Sequence, residues 1–210
     1  TLNINNDSII IENLFLKSEK LLNIDGSEAF NLNDKAIKLA LTRGYIELYL
    51  KGLFSRSIFH LDLYHYDSAN FFAEKCIAKS TEFKVPEYIG KSYNQLGRSL
   101  VRRGDLKRGL TYYLKALEVF EVDRHLSGIG ASSMRIGNYY LREKNYDRAI
   151  KYFNKALLIF EGNNRSDMIC ALLNNLGIVY YSLENYDTAF YYYNSSLQLA
   201  TNHEKLYRVI

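Results

Sequence analysis

A forty-residue period constrains this chain more than any other feature of its sequence. The pairs Leu96-Gly97, Ile136-Gly137 and Leu176-Gly177 are 40 residues apart, and three positions after each glycine stands Leu100, Tyr140 or Tyr180. Twelve positions after each glycine come the small residues Gly109, Ala149 and Ala189, then at four more the aromatics Tyr113, Phe153 and Tyr193, then at three more Ala116, Ala156 and Ser196. One period earlier the same positions hold Ser57, Ala69 and Cys76, all small, with Ala73 in the aromatic place beside Phe72. Self-similarity at this spacing marks an array of supersecondary units, each too small to bury its apolar face alone.

The units are helical. A single proline in 210 residues and apolar residues at helical spacing point to an all-α chain, with no segment that reads as a strand. A glycine inside a helix costs about 1 kcal/mol relative to alanine, so three at a strict period imply a steric purpose. Close packing supplies it: small residues on facing helices let an antiparallel pair approach, and the aromatic fills the wedge toward the next pair. Turns fall at Leu63–Asp67, Arg103–Asp105, Glu143–Asp147 and Leu183–Asp187, where Asn and Asp suit turn and N-cap chemistry. The apolar stretches are too short to span a bilayer, and no basic start leads into a signal-like run. Cys76 and Cys170 stand too far apart for a C-x-x-C motif, which favours a reducing compartment and a cytoplasmic location.

These residues resemble the tetratricopeptide repeat: an apolar-Gly pair, an aromatic three residues on, then Ala, aromatic, Ala in the second helix. A 40-residue period in place of the usual 34 is similar to the bacterial Rap-type peptide receptors and to the proteins with Leu-Gly-Asn repeats. The usual tryptophan is replaced by Tyr93, Ser133 and Leu173, and the closing proline is missing. The resemblance implies a right-handed α-solenoid of stacked antiparallel hairpins. Residues 1–49 are expected to form a degenerate repeat or N-terminal cap, with a turn at Asn23–Gly26 and with Ala29 and Ala36 at small positions. Repeats are expected at 50–89, 90–129, 130–169 and 170–203, with 204–210 opening a further helix.

Catalytic chemistry finds no constellation. The sequence lacks a P-loop, a zinc-protease helix motif and a nucleophile elbow, and His60, His65, His125 and His203 do not pair at helical spacing. These histidines read as helix-end or core-edge residues, and the two cysteines as small buried ones. No enzyme activity, metal or cofactor is expected. The tyrosine clusters at 112–113, 139–140, 180–181 and 191–193 each place one ring at a repeat packing position, which explains them as core, with neighbours such as Tyr181 and Tyr192 left exposed.

Charge is more informative. Residues 90–129 hold eight Lys or Arg against four acids, the whole net charge of +4, while the remaining chain sums to zero. In the first helix of that repeat Lys91, Asn94, Arg98 and Arg102 follow one another at spacings of 3, 4 and 4, opposite Tyr93, Leu96 and Leu100. In tetratricopeptide arrays this face lines the concave groove. The matching residues of the next repeat are Ala131, Met134, Asn138 and Arg142, and of the one after, Ala171, Asn174, Ile178 and Tyr181. Asn can hydrogen-bond an extended backbone and Arg can grip carboxylates, so the expected ligand is a protein or peptide segment of acidic character. A solvated surface is the plainer alternative. Nucleic acid is disfavoured, since a pI of 8.8 is modest and no reading helix stands out. The reading is therefore a peptide- or protein-binding scaffold within a longer protein. Its rivals are a sensory domain attached to a kinase, diguanylate cyclase or DNA-binding domain, and self-association through an uncapped C-terminal end.

Overall fold

A computed structural model describes residues 4–207, with side chains described from 6 to 201. Ten helices and no strand make up the described residues: α1 (Ile4–Leu21), α2 (Gly26–Thr42), α3 (Ile46–Asp62), α4 (Tyr66–Glu82), α5 (Pro86–Arg102), α6 (Leu106–Val122), α7 (Leu126–Arg142), α8 (Tyr146–Gly162), α9 (Ser166–Ser182) and α10 (Tyr186–Tyr207). The chain divides into two compact units, Thr1–Val119 and Phe120–Ile210, the division falling within α6. Each unit is a stack of antiparallel helical hairpins. None of the described helices is long and apolar enough to cross a membrane.

Every junction is built alike. Helices α2 to α9 each have 17 residues and begin 20 residues apart. Positions 44, 64, 84, 104, 124, 144, 164 and 184 all take a positive φ, and only Gly44 and Gly104 among them are glycines. The amide that follows each of these residues donates to the carbonyl five residues back, from Tyr45 to Ala40 at 2.9 Å through to Asn185 to Tyr180 at 3.0 Å. This is the Schellman closure of a helix C-terminus. The turn residues then start the next helix: Asp105, Asn145 and Asn185 accept from the amides of Arg108, Arg148 and Thr188, and His125 Nδ1 accepts from Gly128 at 2.9 Å. The forty-residue sequence period is thus carried on a twenty-residue backbone period.

The periodic glycines have a direct partner. A Cβ on Gly97 would stand 2.5 Å from the Tyr113 ring, one on Gly137 2.6 Å from Phe153, and one on Gly177 2.6 Å from Tyr193. The aromatic of the second helix therefore sits on the glycine of its own hairpin rather than only in the wedge beyond it. Small faces small as well, since the same Cβ on Gly97 would be 3.0 Å from the Gly109 carbonyl oxygen. In α3 and α4 both halves of the arrangement change together. Ala73 takes the ring's place and Ser57 the glycine's, and the Ser57 hydroxyl donates to the Ala69 carbonyl at 2.7 Å.

In the first unit Ile11 and Phe15 of α1 join Ala36, Ala40, Tyr49, Leu50, Leu53 and Cys76 in one core. Gly52 admits Phe15, whose ring tip would lie 2.8 Å from a Cβ there. Burial pushes the Cys76 thiol pKa up, as befits a packing residue and not a nucleophile. In the second unit Phe153, Phe160, Leu172, Leu176 and Val179 form the core with Ala149 and Ala156.

One boundary differs from the sequence expectation. A new helix was expected from Glu204, yet α10 continues unbroken to Tyr207. Earlier second helices stop where a first helix packs on them. Among the described residues none packs beyond α10, and Glu, Lys and Leu favour continuing the helix. The side chain of His203 and residues 208–210 lie outside the described part.

Candidate protein-binding faces

The predicted ligand residues lie on first helices, and each unit is taken by itself. In the first unit, Lys91 pairs with Glu87 one turn away and holds its ammonium 4.8 Å over the Tyr88 ring. Asn94 is only 7% exposed, so this side of α5 is packed rather than open. Arg98 donates to Gln95 Oε1 at 2.9 Å, and burial, helped by the neighbouring Arg102, lowers its pKa. Arg102 reaches the preceding hairpin, donating to the Leu61 carbonyl at 2.7 Å and to Asp62 Oδ1 at 3.4 Å.

The charge of the basic repeat is therefore largely met within the chain. Arg103 pairs with Asp67 at 3.1 Å and Arg108 with Asp105 at 3.4 Å, while Lys115 stands over the Tyr93 and Tyr112 rings. Counting charge along the sequence missed this because Asp62 and Asp67 lie in the previous repeat. An open depression of about 540 Å³ at the α3–α4 turn is lined by Tyr64, His65, Tyr66, Asp67, Ser68 and Arg103.

In the second unit Asn138 accepts a hydrogen bond from Asn175 Nδ2 at 2.9 Å, which ties α7 to α9. Arg142 and Asn174 are exposed. Tyr181 is off the face assigned to it. The residue one period after Arg142 is Ser182, whose hydroxyl donates to the Ile178 carbonyl at 2.8 Å. One residue is about 100° of helix rotation, so Tyr181 instead shares the side of Leu141 and meets the Tyr186 ring edge-on at 5.5 Å.

A cluster that the sequence did not announce surrounds His60 in the first unit. Its ring stacks on Phe72 at 5.4 Å and lies 4.9 Å from Phe30. Arg56, buried, places its guanidinium 4.4 Å over Phe30, donates to the Phe30 carbonyl at 3.2 Å and pairs with Asp34. Burial, then the charges of Arg56 and His65, hold the His60 pKa below its ordinary value, with Asp34 opposing weakly. The sign of the consequence follows. Below about pH 6.5 the unfolded chain takes up a proton here that the folded chain refuses, so stability falls as pH drops through that value toward the lower folded pKa. Denaturant titrations of wild type and His60→Phe between pH 5 and 8 should show a shallower acid-side decline in the variant. Equal slopes would remove His60 as a cause.

Among the described residues no three His, Cys, Asp or Glu side chains gather as a metal site. What the geometry defines is a helical-hairpin repeat array with polar side chains on its first helices. A tetratricopeptide-repeat family model matches residues 128–202 and a second matches residues 90–122, together just over half of the chain. The chain belongs to the tetratricopeptide-repeat family. Among solved structures it is similar to the apo form of RapI, with a TM-score of 0.77 and 21% identity, covering 93% of this chain and 72% of that one. It is also similar to a signal transduction ATPase with numerous domains and a tetratricopeptide repeat sensor from Pyrococcus horikoshii, with a TM-score of 0.73 and 15% identity over 93% of this chain and 31% of that one. A third is a Rap protein complexed with competence and sporulation factor, with a TM-score of 0.61 and 15% identity over 93% and 65% of the two chains. At these identities the likeness is one of fold, and the chain spans less than two thirds of the latter two. No curated protein sequence matches it.

Proposed function

We propose that this chain is a protein- or peptide-binding module that acts by recognition and not by catalysis. The observation that carries the reading is the exposure of polar side chains on first helices, Arg102 and Arg142 one period apart and Asn174 on the next. Amides can pair with an extended backbone, and Arg can grip carboxylates in two places. An acidic partner segment would compete with Asp62 for Arg102, whereas Arg142 is exposed. Stacked repeats present such groups preformed, so binding orders little of the receptor.

The test is affinity capture from the source cell with the wild-type chain beside a Lys91→Ala, Arg142→Ala, Asn174→Ala variant. None of the three side chains is buried, so the variant should melt like wild type. Loss of a specific partner from the variant supports the reading. Equal recovery by both chains overturns it.

A regulatory form of the same reading is a sensor in a longer signalling protein, with a kinase, cyclase or DNA-binding domain as its output. It is favoured by the similarity to the ATPase that carries a tetratricopeptide repeat sensor. Reading the gene on either side of these residues tests it: a signalling domain in the same frame supports the sensor, and its absence leaves the scaffold.

A further inference from the structure

Two guanidiniums of the first unit share one carboxylate. Arg98 and Arg102 stand one turn apart on α5, a spacing at which like charges repel. Among the described residues Asp62 is the only acid paired with either, and it holds Arg102 loosely. Both terminal nitrogens of Arg102 reach the same oxygen, Oδ1, at 3.4 Å, against about 2.7–2.9 Å for a well-made bond of this kind. The firm bond of Arg102 goes to the Leu61 carbonyl at 2.7 Å. Arg98 is half-buried and has only a neutral acceptor, Gln95 Oε1 at 2.9 Å. The Gln95 amide nitrogen, on the same carbon, is buried and meets no acceptor among the described residues.

A half-buried cation without a counter-charge is unfavourable, and burial, then the charge of Arg102, lowers the Arg98 pKa against the weaker pull of Asp62. What the group lacks is an anion. With Asp62 in place it carries an excess of one positive charge, and two when Asp62 swings out. Asp62 and Arg102 are both partly exposed, so that exchange needs no opening of the core. A phosphoryl group fits this count, with about 1.5–2 negative charges and three acceptor oxygens to engage both forks at once. A second carboxylate fits less well, because its two oxygens saturate one guanidinium. The inference deepens the recognition reading at Arg102 and rests on it there.

We propose that Arg98 and Arg102 form a binding site for a phosphoryl group, with Asp62 as the internal carboxylate it displaces. Inorganic phosphate is the probe, titrated into the isotopically labelled full chain at constant ionic strength and read on the NMR signals of α5 and of the arginine Nε–H groups. Saturable shifts at Arg98 and Arg102 are expected, with affinity lowered at least tenfold by Arg98→Gln and by Arg102→Gln, the latter at an exposed position. Circular dichroism checks that both variants fold. Asp62→Asn should tighten binding at least threefold, whereas Asp67→Asn, which removes the same charge beside Arg103, should change it less than twofold. Equal tightening by both, an equal response to acetate, or no saturable shift overturns the proposal. A phosphoserine tripeptide distinguishes the source of the group. Binding at least tenfold tighter than that of phosphate assigns the site to a phosphorylated partner, and anything weaker assigns it to the free anion. The capture experiment above alters Lys91, Arg142 and Asn174 and leaves Arg98 and Arg102 in place, so failure of one test is separate from failure of the other.

Discussion

Gly137→Leu lowers the stability of the second unit by about 3 kcal/mol, at the upper end of what overpacking usually costs. Even the first added carbon would stand 2.6 Å from the Phe153 ring. That ring is fully buried in the core with Phe160, Leu172 and Leu176, and has nowhere to retreat. Exposed substitutions such as Arg142→Ala should change stability by less than about 0.5 kcal/mol. The pairing itself is open to a double-mutant cycle in urea. Gly137→Ala and Phe153→Ala should be strongly non-additive, because removing the ring removes the clash. Additive losses would show that the glycine recurs at this register for some other reason than seating the ring.

Phe15→Ala should have the second large effect, a loss of about 3–5 kcal/mol in the first unit. Phe15 is completely buried and occupies the notch at Gly52, so its removal leaves a cavity between α1 and α3. The damage should be local in kind. Hydrogen exchange in α1 is expected to rise toward the rate of an unstructured segment, while amides of α7 to α9 keep wild-type protection. Unchanged exchange in α1 would mean that the helix is held by something other than this contact.

The helical-hairpin architecture was legible because its determinants repeat. Leu-Gly, Ala and aromatic positions recur at one spacing, and Asp25, Asp105, Asn145 and Asn185 stand where four of the helices start. The contacts that break the period were not legible. Gly52 lies five residues before the repeat position Ser57, so self-alignment passed over it, although it seats Phe15. Arg56 and His60 looked like ordinary helix residues, and only three-dimensional proximity gathers them with Phe30, Asp34 and Phe72. The candidate binding face was misread in two ways. Charge was assigned to a ligand without its acids in the neighbouring repeat, and Tyr181 was placed one residue out of register, about 100° around its helix. Composition along the chain reports how many charges there are, and packing between repeats decides which of them remain available.

The uniform junctions bear on how such a chain can change over generations. A one-residue insertion inside any helix turns everything after it by about 100°, which would carry the next positive-φ position off its Schellman closure and swing the apolar stripe out of the stack. Gain or loss of a whole hairpin instead joins two ends already shaped for each other, because each junction repeats the geometry of the one before it. The junction geometry therefore tolerates change in units of forty residues far better than in units of one.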